Sequence, residues 1–165
     1  MSDVADPWGM TEPTSGEIST FYAVYGEVLD ETRLNEWADF FVEDCLYQII
    51  ARENYESGYG LCLMHADSKG MVIDRIQGIT RTQIFGPRHY RRFYSGTRVV
   101  GVENGVIKTR QNVLLVQTLM DQASKILLCG VAHDQLIREG GALRIKQRVV
   151  VTDSEIIENS LIFPV

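Results

Sequence analysis

The sequence has little of what metal centres, disulfide scaffolds or membrane spans are made from. It holds only three histidines and three cysteines in 165 residues. His65, His89 and His133 do not stand at ligand spacing from one another, and Cys45, Cys62 and Cys129 form no Cys-x-x-Cys and no Cys-x-His. An odd, sparse cysteine count excludes a disulfide framework. Each cysteine lies among apolar residues, as in Leu61-Cys62-Leu63 and Leu128-Cys129-Gly130, and reads as a small buried hydrophobe. No apolar run approaches the ~20 residues that cross a bilayer. Met1 to Thr14 lacks the charged-then-apolar pattern of a leader. Excess positive charge is missing too: the net charge is −6 and the pI about 5.1, which argues against nucleic acid. There is no P-loop, dinucleotide fingerprint or nucleophile elbow. These absences lead to the expectation of a cytoplasmic protein with no membrane or nucleic-acid partner and no metal or cofactor of its own.

What is present is the material of one packed domain. A hydrophobic fraction of 45% and a charged fraction of 23% are ordinary for a globular core. Residues 1–13, with Pro7, Gly9 and Pro13, read as a flexible arm, and residues 14–165 as a single domain. Thr14-Ser15-Gly16-Glu17 has capping-box spacing. Ile18, Phe21, Tyr22, Tyr25, Val28 and Leu29 then recur at helical spacing. A second helix is expected over about Thr32–Phe41 with Leu34, Trp37, Phe40 and Phe41 buried, then a strand over Cys45–Arg52. Gly58 and Gly60 bracket a connection without clear pattern, and Asp67 or Ser68 could cap a third helix.

Beyond Arg91 four long strands are expected, about Arg91–Val102, Val106–Leu119, Lys125–Arg138 and Leu143–Thr152. Asn104-Gly105 and Gly140-Gly141 are hairpin signals between them. On the last strand Leu143, Ile145, Val149 and Val151 share one face by strict alternation, and Arg144, Lys146 and Arg148 the other. Val113–Val116 and Ile126–Leu128 are apolar on both faces. One face can pack on helices; the other needs a protein partner or encloses a concave pocket. Helices followed by long antiparallel strands give an α+β cone, with the helices packed on a strongly curved, mainly antiparallel sheet.

Candidate chemistry is thin. His133 and Asp134 are strand neighbours, so their side chains point to opposite faces. Asp44, Tyr47 and His65 could meet inside a cone and abstract a proton, which would make the chain a free-standing isomerase or dehydratase. A small-ligand binder is a further alternative. Arg88-His89-Tyr90-Arg91-Arg92-Phe93-Tyr94 is either a solvated turn entering a strand or a patch that pairs with carboxylates of a neighbouring subunit.

Several segments together resemble the small subunits of Rieske-type aromatic ring-hydroxylating oxygenases. They are Trp37-Ala38-Asp39-Phe40-Phe41 followed by Asp44-Cys45 and Tyr47, Met71 with Asp74-Arg75-Ile76, the pair Arg91 and Arg92, and Arg148-Val149-Val150 with Asp153. Arg52-Glu53-Asn54-Tyr55, Leu61-Cys62-Leu63, Asp67-Ser68-Lys69 and the stretch from Asp153-Ser154-Glu155 to Phe163-Pro164-Val165 are most similar to the branch acting on aromatic acids, such as salicylate 5-hydroxylase or terephthalate dioxygenase.

The resemblance implies a nuclear-transport-factor-like (cystatin-like) cone with Trp37, Phe40, Phe41 and Tyr47 in its core. It implies no catalytic residue here, and three small subunits bracing three large ones. It places a Rieske iron–sulfur cluster and a mononuclear non-haem iron in the large subunit, fed from NAD(P)H through a reductase or ferredoxin. Arg91, Arg92, Arg144 and Arg148 are the expected subunit-interface residues. A Rieske centre takes two histidines and two cysteines, and a facial-triad iron two more histidines. Three histidines cannot supply both centres.

Overall fold

The computed structural model describes residues 13–82, 86–156 and 161–165. Apart from Pro13, the expected N-terminal arm lies outside the described residues. Helix α1 spans Ser15–Asp30. Its start is set by Thr14, whose hydroxyl accepts from Glu17 N (3.1 Å) while the Glu17 carboxylate accepts from Thr14 N (2.9 Å). Its buried face is Ile18, Tyr22, Tyr25, Val28 and Leu29, and it packs on the inner face of the sheet.

Helix α2, Leu34–Ala38, is half the expected length. Strand β1 begins at Phe41 rather than Cys45 and runs to Ala51, because the Phe40 carbonyl already accepts from Ile145 N (2.7 Å). The connection without clear pattern contains helix α3 (Arg52–Ser57) and strand β2 (Cys62–Ala66). Helix α4, Lys69–Gln77, is capped by Ser68 and continues as one π-helical turn, Gly78–Thr82. The long strands are β3 (Arg88–Glu103), β4 (Val106–Leu119), β5 (Lys125–Glu139) and β6 (Ala142–Thr152).

The six strands form one sheet in the order β2-β1-β6-β5-β4-β3. All neighbours are antiparallel except β1 and β6, which pair in parallel and make the sheet mixed. Asn104-Gly105 and Gly140-Gly141 have positive φ at both positions, the backbone that two-residue hairpins require. Strands of 14–16 residues curl as they twist, and α1, α2 and α4 fill the concavity.

Strict alternation fails on β6. Leu136 pairs with Ile145 and Gln135 with Gln147, so Lys146 is an extra residue, a β-bulge. The bulge reverses which face later residues occupy. Ile145, Arg148 and Val150 therefore face the same interior, and Val149 and Val151 join Ile50 in a second small cluster on the outer side.

Trp37, Phe41 and Tyr47 are fully buried and meet edge to face, with ring centroids 5.3–5.9 Å apart. Phe40 is half-buried and packs edge-on against Phe21 and Tyr25. Cys45 is buried and Cys62 half-buried, but Cys129 is exposed on the outer face, contrary to its apolar sequence context.

Candidate functional site

The cone interior holds a charged network that alternation alone hides. Asp134 on β5 and Arg148 on β6 are register partners, both side chains fully buried, with Arg148 Nη1 2.5 Å from the Asp134 carboxylate. Tyr22 OH donates to the same carboxylate oxygen (2.7 Å) and lies 2.5 Å from the Thr109 hydroxyl. The Arg148 guanidinium lies over the Tyr25 ring, 4.7 Å from its centroid. Burial opposes the charge on Arg148, but the Asp134 carboxylate together with Tyr25, Tyr94 and Tyr22 outweighs it and holds the guanidinium well above its ordinary value.

Burial pushes Tyr22, Tyr25, Tyr47 and Tyr94 upward, so all four stay neutral. Burial likewise raises the three thiols. Tyr22, Tyr25 and Tyr47 donate hydrogen bonds, and none of these groups is tuned to remove a proton near neutral pH.

Residues 161–165 enter this interior. The Val165 carbonyl accepts from Tyr25 OH (3.1 Å), Tyr47 OH (3.2 Å) and Arg148 Nε (3.2 Å), and Val165 N donates to Tyr47 OH (2.7 Å). Phe163 packs against Tyr90, with ring centroids 5.1 Å apart.

The four arginines expected at an interface fall into two pairs. Arg92 and Arg148 are corrections: both lie inside the domain, where a partner cannot reach them. Arg92 donates to Asp30 (2.6 Å) and to the Pro164 carbonyl (2.5 Å), and Arg148 is brought inward by the bulge at Lys146. Arg91 is 70% exposed and Arg144 half-buried, so these two can meet another chain. The Asp44–Tyr47–His65 constellation is not assembled. Tyr47 points inward, while Asp44 lies exposed within β1 and His65 bonds Gln48 on the outer face (3.1 Å).

Among the described residues no group of three or more His, Cys, Asp or Glu could hold a metal ion. The donor set fits neither a Rieske cluster nor a facial-triad iron.

The outer face of the sheet is the other notable feature. In register across three strands lie Arg91, Val116 and Ile126, and beside them Phe93, Leu114 and Cys129. Phe93 is 56% and Ile126 66% exposed. On β5, β6 and β1 the same face is partly covered by α3, whose Tyr55 stacks on His133 at 5.9 Å. The uncovered half is an apolar patch with an arginine at its edge. No described helix is long and apolar enough to cross a membrane.

A curved mixed sheet closed on helices, with its interior filled by its own chain, is the nuclear-transport-factor-like cone, here carrying no assembled catalytic group among the described residues. Residues 26–159 match the family model described as ring hydroxylating beta subunit. The chain is 31% identical, over 83% of its length and 85% of the relative, to the anthranilate 1,2-dioxygenase small subunit of Burkholderia cepacia. It is 22% identical, over 90% of its length and 96% of the relative, to a terephthalate 1,2-dioxygenase terminal oxygenase component subunit beta 2 from Comamonas sp. Among solved structures, the beta subunit assigned to an aromatic-ring-hydroxylating dioxygenase of Novosphingobium aromaticivorans superposes with a TM-score of 0.81 at 32% identity, covering 90% of this chain and 94% of that one. The chain therefore belongs to the ring-hydroxylating beta-subunit family, the small subunits of aromatic ring-hydroxylating dioxygenases.

Proposed function

We propose that this chain braces the large subunits of a cytoplasmic oxygenase that hydroxylates an aromatic acid. The observation that carries this reading is the family match joined to the open sheet face. Phe93, Leu114, Val116 and Ile126 form an apolar patch too continuous for an isolated surface strand, with Arg91 at its edge to pair with a carboxylate on the partner. Arg144, half-buried on β6, is a second contact candidate.

The partner is a large subunit holding the Rieske cluster and the mononuclear iron. Three small and three large subunits assemble, and electrons arrive from NAD(P)H through a reductase or ferredoxin. This chain supplies area and register, so that neighbouring large subunits sit close enough to pass electrons. The aromatic-acid branch is supported by relatives named for anthranilate and terephthalate.

Affinity purification of the tagged chain from its host tests the reading. A brown eluate with a larger second chain and iron–sulfur absorption is expected. A colourless eluate of this chain alone, from cells grown on an aromatic acid, would overturn it.

A further inference from the structure

At one end of the sheet the unpaired charges are sorted by side. The register row Leu46–Gln147–Gln135–Lys108–Gly101 crosses that end from β1 to β3. Strand β2 pairs with β1 only between Tyr47 and Ile50, so before Tyr47 β1 is itself the edge of the sheet. At this edge four residues of β1, 42–45, stand opposite a single residue of β6, Lys146. The excess bows the strand and leaves Glu43 and Asp44 exposed between buried Val42 and Cys45. Asp39, just before the strand, is exposed too. None of these three acids has a base within ion-pair distance among the described residues. Helix α4 packs on β1 here, its Lys69 bearing with Glu43 and Asp44 on the Cys45 thiol, and it exposes Met71 and Ile73.

The opposite edge, β3, carries the other sign. Arg98 and Arg110 are register partners, and neither has a hydrogen bond or ion pair among the described residues. Like charges directly across a strand pair destabilise it. Nothing within one copy compensates them, in a chain whose acids outnumber its bases 22 to 16. Val99, Val100 and Val102 are exposed beside them. Register shifts between Ser95 and Arg98 and between Val99 and Gly101 break this edge. Such bulges turn an edge away from strand addition, so what β3 offers a neighbour is side chains.

We propose that the acidic edge at Asp39, Glu43 and Asp44 receives the basic edge at Arg98 and Arg110 of a second copy of this chain. Met71 and Ile73 then meet the exposed valines of β3. Each surface has what the other lacks, charge of opposite sign beside apolar side chains. The two edges lie four strand spacings apart, about 19 Å, and face away from each other. One neighbour does not meet both, so the contact is head to tail and the copies close into a ring of three or more. This deepens the bracing role by naming the surfaces through which small subunits hold one another, and rests on that reading only in requiring several copies per assembly.

The test is size-exclusion chromatography with light scattering on the full chain, purified without a large subunit. The wild type is expected to elute as three or more copies and to dissociate as salt is raised, because exposed charges are screened. Arg98→Glu with Arg110→Glu, and separately Glu43→Arg with Asp44→Arg, set like charges face to face and should each weaken association about tenfold or more. All four changes in one chain make the edges opposite in sign again and should restore the ring. Such recovery is out of reach for a change that merely damages the fold. A wild-type monomer or dimer, assembly indifferent to salt, a two-site variant that stays assembled, or a four-site variant that stays apart would each overturn the proposal. Its failure is distinct from failure of the bracing role. Copies that form the ring yet never retain a large chain sink the bracing role alone, and a large chain retained by copies that do not self-associate sinks the ring alone.

Discussion

At the scale of single residues, the Asp134–Arg148 pair bears most directly on stability. Both side chains are fully buried, and Arg148 also organises Tyr25 and Val165. A buried pair gains little net energy over an apolar replacement, but removing one member leaves a bare charge in the interior. Asp134→Ala is expected to cost about 3–5 kcal/mol in denaturant unfolding for that reason. Trp37→Ala should cost about as much, ~3–5 kcal/mol, through a cavity at the Phe41–Tyr47 contact and the lost hydrogen bond from Nε1 to Tyr25 OH.

His133 gives a pH signature. Burial, with Arg110 beside it, lowers its pKa below the ordinary 6.5, partly offset by Asp134. A depressed histidine favours folding while neutral, so its contribution is present above pH 6.5 and is lost as pH falls through its folded value. Unfolding midpoints measured across that range should drop for the wild type, and less steeply for His133→Asn. An unchanged slope would remove His133 as the cause.

At the scale of elements, strands that announce themselves in sequence are those whose two faces differ or whose turns are marked. Strand β4 lies at the expected Val106–Leu119, because Asn104-Gly105 fixes its start by turning the chain. Strand β2 and helix α3 escape notice because each is too short for a period to show. Arg148 is misplaced by sequence for a different reason. Alternation is a local rule, and the bulge at Lys146 is fixed by pairing with β5 and β1, which no single strand encodes.

Deleting Lys146 should therefore be far worse than its half-buried position suggests. It would turn Arg148 and Val150 outward and Val149 inward, and the expected outcome is loss of the cooperative unfolding transition. Lys146→Ala keeps the bulge and should unfold within about 0.5 kcal/mol of the wild type. At Gly130 a side chain would run into the Val151 carbonyl, so Gly130→Ala should separate β5 from β6 and lower the melting temperature.

At the scale of the whole molecule, the two sides of the sheet divide the work. The concave side is closed by α1, α2, α4 and residues 161–165, and its charges are internal. The convex side is half covered by α3 and half open. On the proposed reading, Arg91 stands beside exposed Phe93, in a chain of net charge −6, to meet a partner. The two-sided apolar character of β4 and β5 was legible in sequence, but which half would stay open was not, since that depends on where α3 lands. Arg91→Glu combined with Phe93→Asp puts two negative charges on the open half and, within the chain, gives up the 3.8 Å contact between Arg91 and Asp30. The isolated double variant should stay within about 1 kcal/mol of the wild type, because exposed substitutions away from caps and cores cost little. Co-expressed with its large subunit, it should elute from size exclusion as a smaller species lacking the iron–sulfur spectrum of the complex. Assembly at wild-type yield would show that the large subunits meet this chain elsewhere, with Arg144 at the start of β6 the next residue to change.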